Sequence, residues 1–364
     1  MLKFVKPSEM LQGQLDTQRR TVDVDHFDIT TRELVRMMEE GELERAPSYQ
    51  RKFRWKEEDE SRLVESLYLG LPVPSIFVAT NANSTWEVVD GLQRLSTLVH
   101  FTSESTKLLA SIGKAKSLRL AGLEKLTAFN NFTFAELASP LQLAFGKRAL
   151  RVTALSDKSD YHIRFDMFER LNTGGVALSH QEVRACIFRG KFNELLGRLA
   201  GYQPFQRLVK LQTSHQNDGT KEELVLKFFA YLHNRKQFDG AVTSFLNDFM
   251  ADSSKSFDED SAAALFKAVA DILAEYCKGP FLRQGYGNTP LNQLEAVMVA
   301  TGELIRQKKK IHRPGSGWLN DAELVKHSTK GTNTPSALTK RVERARQLLQ
   351  GAKVSARDQN EQHD

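Results

Sequence analysis

The chain has 364 residues, 40% hydrophobic and 26% charged, a composition typical of a folded protein with room for two domains. It contains no run of about 18 apolar residues and no apolar stretch at its start, so we expect neither a membrane-spanning helix nor a secretory leader. Its two cysteines, Cys186 and Cys277, predict neither a disulfide framework nor a zinc cluster, and we expect a cytoplasmic protein.

The positive charge is concentrated at the C-terminal end. The net charge is +6, and residues 301–364 contain 13 Lys and Arg against 7 Asp and Glu, whereas the rest of the chain is balanced. A basic end on a neutral body favours contact with nucleic acid, and the alternative is a solvated helix face with a polar tail.

The first quarter of the chain alternates between strand and helix patterns. Residues 1–20 are polar and without period, which predicts a flexible start. Thr21–Ile29 alternates like a strand, and the capping-box pattern Thr30-x-x-Glu33 starts a helix. A second helix follows at Lys56–Leu69.

A basic aromatic loop, Ala46–Trp55, separates these two helices. It places Arg51 and Arg54 among aromatic side chains. For Tyr49 and Trp55, stacking on a nucleotide base competes with packing in the core, and packing is favoured.

The stretch TWEVVDGLQRLSTLV is the centre of the predicted fold. Thr85–Val89 predicts a strand, Asp90-Gly91 a turn, and the following residues a helix. Its apolar face carries Leu92, Leu95, Leu98 and Val99. The backbone N–H groups at such a turn, together with the helix dipole, form an anion site. Arg94 lies in the first helical turn, where a cation is unfavourable unless an anion binds there. The alternative is an Asp-capped helix with a solvated Arg94.

A second turn rich in glycine follows later. Tyr161–Leu171 predicts a helix that ends in Asn172-Thr-Gly174-Gly175, before another helix that contains Glu182. Two consecutive glycines allow positive φ or close approach of a ligand to the backbone.

Together these motifs resemble one family, the N-terminal domains of GmrSD-type restriction systems, which are built on a ParB/sulfiredoxin-like fold. The matching motifs are P-x-Y-Q-R (47–51), Trp55, L-P-V-P (71–74), V-D-G-x-Q-R-L (89–95) and F-x-R-L-N-T-G-G-x-x-L-S-x-x-E (168–182). One departure concerns Leu92, where the family usually has Gln. That departure affects the expected nucleotide preference more than the assignment to the family.

The resemblance implies an α+β protein with a ParB/sulfiredoxin-like domain at residues 21–190, a helical domain at 191–350 and a polar tail at 351–364. It implies that the chain binds and hydrolyses a nucleoside triphosphate with Mg²⁺, as the regulatory subunit of a prokaryotic antiphage defence system that acts on foreign DNA. The alternative is a non-catalytic DNA-binding adaptor that nucleotide switches. A structural subunit with a relic pocket is a third possibility.

The resemblance also implies roles for individual residues. Arg94 contacts phosphate, and Asp90 caps the helix, holds Mg²⁺ through water or orients the attacking water; the sequence does not choose. Gln93 completes the expected catalytic set. The expected nucleotide-binding residues are Tyr49, Gln50, Arg51, Gly91, Asn172 and Gly174.

The C-terminal half is helical in pattern, and Glu223–Leu232 is apolar on nearly every face. In the last helix, Leu338–Leu349, four cations are expected to face mostly outward and contact DNA. These cations are Lys340, Arg341, Arg344 and Arg346.

Several motifs are missing from the sequence. There is no Walker A pattern, no acidic-x-Lys nuclease motif and no supported His-Asn-His domain, such as follows this module in longer relatives. We therefore expect that the chain does not cut DNA by itself and that a separate effector protein, a nuclease or toxin, supplies that activity.

Overall fold

The computed structural model describes residues 10–13, 15, 23–44, 55–81, 83–156, 161–171, 178–216 and 218–355. The chain divides into two compact units, Met1–Ala177 and Leu178–Asp364. The first unit contains a mixed sheet with helices, and the regular elements described in the second are helices. The predicted α+β class with a mainly helical C-terminal half is therefore confirmed.

The first unit is built on a five-stranded sheet. Its strands are β1 (Val24–Thr30), β2 (Leu43–Glu44), β3 (Ile76–Thr80), β4 (Trp86–Asp90) and β5 (Ala149–Leu155). The strand order is β1-β5-β3-β4-β2. β3 pairs with β5 in parallel and with β4 antiparallel, so β3 and β4 lie inside the sheet.

Six α-helices are described after β1 in the first unit. They are α1 (Thr31–Glu40), α2 (Glu57–Leu69), α3 (Leu92–Thr102), α4 (Thr106–Ser111), α5 (Ser139–Gly146) and α6 (Tyr161–Leu171). The apolar face predicted for α3 is confirmed, because Leu95, Leu98 and Val99 are fully buried. Leu95 and Leu98 belong to the same core cluster as Val78 of β3 and Val64 of α2, which places α3 against the sheet.

Local sequence determines where several of these helices begin and end. The Thr30 side chain accepts a hydrogen bond from the Glu33 backbone N–H, so Thr30 caps α1 as predicted. Gly41 and Gly70 follow α1 and α2 in the left-handed conformation, which glycine adopts without steric cost. Their position explains why each helix stops where its apolar period ends.

The second unit is a bundle of helices. The helices are α7 (His180–Ile187), α8 (Lys191–Ala200), α9 (Gln203–Leu208), α10 (Thr220–Asn234), α11 (Val242–Ser253), α12 (Glu259–Cys277), α13 (Leu291–Arg306), α14 (Ala322–Thr329) and α15 (Pro335–Leu349). As predicted, the centre of α10 is buried, and Phe228 and Phe229 both pack against Phe266 of α12. Within the described residues, no helix combines the length and apolarity needed to cross a membrane.

Candidate functional site

The candidate site lies where β4 ends, and the strand is irregular at that point. Phe77 of β3 pairs with Asp90, but Val78 pairs with Val88, so the register shifts and Val89 has no opposite residue. An extra residue of this kind is a β-bulge, which bends a strand and redirects its last side chain. The bulge therefore sets the direction in which Asp90 leaves the sheet.

Gly91 makes the turn from β4 into α3. Its φ is +102°, and a Cβ atom there would lie 3.1 Å from Ile76 Cγ1 and 3.2 Å from Arg94 Nη2. Glycine is thus required both by backbone conformation and by space. Gly91 is also the N-cap residue of α3, and among the described residues no side chain caps this helix. The interpretation of Asp90 as a helix cap is therefore wrong.

Arg94 is held by an ion pair with Asp90. The Arg94 Nη2 donates to Asp90 Oδ2 at 2.6 Å, and its Nη1 donates to the backbone oxygen of Pro74 at 3.1 Å. Arg94 is only 9% exposed, so the alternative of a solvated arginine is wrong. The Asp90 carboxylate compensates the cation at the helix N-terminus, which the dipole alone would disfavour. Arg94 also connects two sequence motifs, because Asp90 belongs to V-D-G-x-Q-R-L and Pro74 belongs to the L-P-V-P segment.

Solvent reaches this ion pair from the Asp90 side. The Asp90 side chain is 37% exposed, against 11% for Arg94. Arg94 binds Oδ2, and no hydrogen bond to Oδ1 occurs among the described residues. The turn therefore presents a carboxylate oxygen whose position is fixed by a buried guanidinium.

Gln93 connects the turn to the end of the basic aromatic loop. Its Oε1 accepts a hydrogen bond of 3.3 Å from the backbone N–H of Trp55. The Trp55 ring packs against the main core cluster, as predicted, and Leu92 packs there too. Leu92, which stands where the family usually has Gln, therefore makes an apolar contact with the core.

The far end of α3 is anchored by buried polar groups. His100 Nδ1 lies 2.6 Å from Glu60 Oε2 of α2, and His100 Nε2 lies 3.0 Å from the backbone oxygen of Lys116. Lys114 also donates to Glu60, at 3.1 Å. Sequence reasoning missed this cluster because its members come from three distant segments and form no local motif. The cluster fixes the helix whose first turn carries Arg94.

Several predicted site residues lie outside the described residues. They are Tyr49, Gln50, Arg51, Asn172 and Gly174. The structure brings together Asp90, Gly91, Gln93 and Arg94, and the contribution of the other five stays a prediction.

The cations of α15 do not form the outward-facing row that the sequence predicted. Lys340 is exposed, but Arg341 is only 1% exposed. Arg341 Nη1 donates to the backbone oxygen of Thr332 at 2.5 Å, and its Nη2 lies 3.8 Å from the buried carboxylate of Glu295. The outward orientation predicted for Arg341 is wrong, because a carboxylate from α13 draws this side chain into the bundle.

Arg344 and Arg346 are also engaged within the second unit. Arg344 donates to both carboxylate oxygens of Asp321, at 3.0 and 2.7 Å, and Asp321 is completely buried. Arg346 pairs with Glu343 on the same helix at 2.6 Å. Of the four cations assigned to DNA, only Lys340 is both exposed and without an ion-pair or hydrogen-bond partner among the described residues.

Comparison with known proteins gives one match. Residues 32–189 match the family model described as the GmrSD restriction endonuclease, N-terminal domain. That range contains the turn at Asp90 and every quoted motif, so the resemblance to this family is confirmed over that segment. Searches of curated proteins and of solved structures gave no match.

Proposed function

We propose that the first unit binds a nucleoside triphosphate at the Asp90–Arg94 turn and hydrolyses it. In this proposal the chain is the regulatory component of a restriction-type defence system, the kind of system in which its matched domain is found. The single observation that supports the site is the fixed Asp90–Arg94 pair in a glycine turn at the start of a helix. Such a turn directs backbone N–H groups and the positive helix end at an anion.

Asp90 is the group best placed to act on a bound triphosphate. Its Oδ1 has no hydrogen-bond partner among the described residues, and its side chain is open to solvent. A carboxylate in this position either binds Mg²⁺ through water or orients the attacking water. Arg94 fixes the carboxylate, and its further N–H donors are available to phosphate oxygens.

Mg²⁺ fits this site only as part of a metal–nucleotide complex. Among the described residues no group of three or more His, Cys, Asp or Glu side chains forms a protein metal site. Mg²⁺ commonly binds through one or two carboxylates together with substrate phosphates, and Asp90 supplies one. When bound, the ion would neutralise charge on the phosphates.

A specific observation favours the alternative of a nucleotide-operated switch. Arg94 is buried between Asp90 and the backbone oxygen of Pro74, and a phosphate that replaces Asp90 as its partner would release the carboxylate. In that case nucleotide binding changes the turn without hydrolysis. The switch would then control a separate effector protein, a nuclease or toxin.

DNA is the proposed partner of the second unit, but we propose that it binds a surface other than the α15 cations that the sequence predicted. The last residue of α13 and the loop after it are exposed and basic, with no carboxylate between Arg306 and Arg313. The cations are Arg306 at the helix end and Lys308, Lys309, Lys310 and Arg313 in the loop. Because these side chains reach solvent, they fit phosphate contact better than the paired arginines of α15.

Phosphate release from each nucleoside triphosphate, measured with Mg²⁺ in the presence and absence of DNA, separates the two candidates. Turnover by wild-type protein supports the hydrolase. Saturable nucleotide binding without turnover under any condition supports the switch, and absence of both contradicts the proposed site. Plasmid DNA should stay intact in the same reactions, because the nuclease activity is assigned to another protein.

A further inference from the structure

A cavity of about 730 Å³ lies within the second unit, and its lining is strongly basic. It is formed by the end of α9, the segment that follows it, the first turn of α10 and the turn after α12. Its charged lining residues are Arg207, Lys210, Lys221 and Lys278. Among the described residues, no aspartate or glutamate lines the cavity. A volume of this size accommodates a ligand as large as a nucleotide.

None of these four cations has an ion-pair partner within 4 Å among the described residues. Lys221 is attracted by the neighbouring carboxylate of Glu222 at longer range. The carboxylate of Asp218, which is close in sequence to Lys221, is engaged elsewhere. It lies 2.6 Å from His215 Nδ1 and accepts from the hydroxyl and backbone N–H of Thr220. Four cations that line one cavity repel one another, so a bound anion would make the arrangement more favourable.

Helix dipoles explain only part of this arrangement. Arg207 lies at the end of α9 and Lys278 follows the end of α12, where cations are favourable even without a ligand. Lys221 lies in the first turn of α10, where a cation is unfavourable. Lys210 lies in a loop. The carboxylate of Glu222 attracts Lys221, so among the described residues Lys210 is the lining cation that neither a helix end nor a neighbouring carboxylate explains.

The first turn of α10 adds a second feature suited to an anion. Gly219 is the N-cap residue of this 15-residue helix, with a φ of +80°, and the Asp218 carboxylate before it accepts from the Thr220 N–H. Because Lys221 lines the cavity, the positive end of α10 borders it as well. The N–H of Lys221 itself has no acceptor within the helix, so it is suited to bind a phosphate oxygen.

The lining indicates a phosphate chain more than a base. Lysine ammonium groups suit phosphate as point charges, and Arg207 offers a planar pair of donors. The described part of the chain contributes no aromatic side chain to the lining on which a base would stack. Gln206 and Gln216 add only amide groups. We propose that this cavity binds a small ligand with a chain of phosphate groups, either inorganic tripolyphosphate or the phosphate tail of a nucleotide.

Titration calorimetry of the full chain tests this site, with sodium tripolyphosphate and a nucleoside triphosphate as separate probes. The pocket variant carries Lys210→Gln and Lys278→Gln, two exposed lining lysines. The control carries Lys236→Gln and Lys330→Gln, two exposed lysines outside the cavity. We expect the pocket variant to bind tripolyphosphate roughly tenfold or more weakly, and the control to bind like wild type.

Arg94→Gln separates this proposal from the one for the first unit, on which it does not depend, because it removes the cation that a phosphate bound at the turn would need. That variant should retain wild-type affinity for tripolyphosphate, and a loss equal to that of the pocket variant would place binding at the turn and overturn the pocket. Tighter binding of tripolyphosphate identifies an inorganic ligand, and tighter binding of the nucleoside triphosphate identifies a nucleotide. Absence of binding, or equal affinity in the pocket and control variants, would overturn the proposal. Displacement by a short DNA duplex at lower concentration than tripolyphosphate would also overturn it, since the cavity would then belong to a DNA surface.

Discussion

The turn at Asp90 and the C-terminal helix α15 both carry arginines that the sequence assigned to phosphate. In both regions these arginines form ion pairs with carboxylates of the same chain. At the turn, Arg94 pairs with Asp90, which stays more than one third exposed. In α15, Arg341 and Arg344 face carboxylates that are almost completely buried.

This difference distinguishes an arginine that positions a residue of a binding site from one that stabilises the folded bundle. The partner of Arg94 is open to solvent and to a ligand, so the pair can change when an anion binds. The partners of Arg341 and Arg344 cannot be reached without opening the bundle. The exposure of the carboxylate, more than that of the arginine, distinguishes the two cases.

The largest effect is expected at Arg341. Arg341→Ala leaves Glu295 buried with one cation fewer, and breaking a buried pair costs roughly 3–5 kcal/mol. Lys340→Ala, one residue earlier and exposed, should change the free energy of unfolding by less than about 0.5 kcal/mol. Urea unfolding followed by circular dichroism measures both. Equal urea midpoints for the two variants would contradict a stabilising role of Arg341 in the core.

A somewhat smaller effect is expected at Asp321, and it depends on pH. Burial alone would raise the pKa of this carboxyl, but bonds from Arg344 and from the backbone N–H groups of Leu324 and Ser355 hold the pKa well below its ordinary value. Asp321→Asn should cost roughly 2–3 kcal/mol at neutral pH.

The pH dependence follows from the direction of that shift. Because the pKa is lowered in the folded state, the stabilisation is present above the unfolded value of about 3.9 and declines as the pH falls below it. The difference in stability between wild type and Asp321→Asn should therefore narrow on acidification. A difference that stays constant between neutral pH and the most acidic pH at which the protein folds would contradict this account.

An effect of roughly 1–3 kcal/mol is expected at Arg94. Arg94→Ala removes the bonds to Asp90 and Pro74, so it should destabilise the first unit, contrary to what a surface arginine would do. The matched control is Arg151→Ala, which removes an ion pair with Asp28 in which both side chains are more than half exposed. That variant should change stability by less than about 1 kcal/mol. Thermal unfolding of both proteins distinguishes them, and an Arg94 variant as stable as the control would show that the buried pair is energetically unimportant.

The smallest effect on stability is expected in the basic loop after α13. Replacement of Lys308, Lys309 and Lys310 by Gln should leave unfolding unchanged, because all three are exposed. If they bind DNA phosphates, the logarithmic salt slope of DNA binding should flatten by about 0.9 for each lysine that binds one. Fluorescence anisotropy at several salt concentrations measures that slope. An unchanged slope would show that this loop is only a solvated surface.

Local sequence was sufficient to predict several helices and strands. Tyr161–Leu171 is helical as predicted, because its apolar residues recur at helical spacing. The Ser179 capping box is present with both of its hydrogen bonds. These features depend on residues within a few positions of one another, which is what a sequence pattern contains.

Ion pairing between distant segments could not be predicted in this way. Leu338 and Val342 of α15 are buried at positions that its helical period explains, but Arg341 is buried beside Val342 because Glu295 of α13 lies opposite. The Asp90–Arg94 pair spans only four residues and could have been anticipated from the i,i+4 spacing. The basic cavity combines cations as far apart as Arg207 and Lys278, so no local pattern indicated it.

The central claim is that Asp90 acts on a triphosphate bound at the turn, and Asp90→Asn tests it most directly. Asparagine keeps an oxygen for Arg94 but removes the charge. The matched control is Asp28→Asn, which removes a carboxylate from an exposed ion pair elsewhere in the same sheet. With Mg²⁺ and saturating nucleoside triphosphate, phosphate release by Asp90→Asn should fall roughly 10²-fold or more, whereas the control should match wild type. An Asp90→Asn protein that unfolds like wild type and releases phosphate at the wild-type rate would contradict the account.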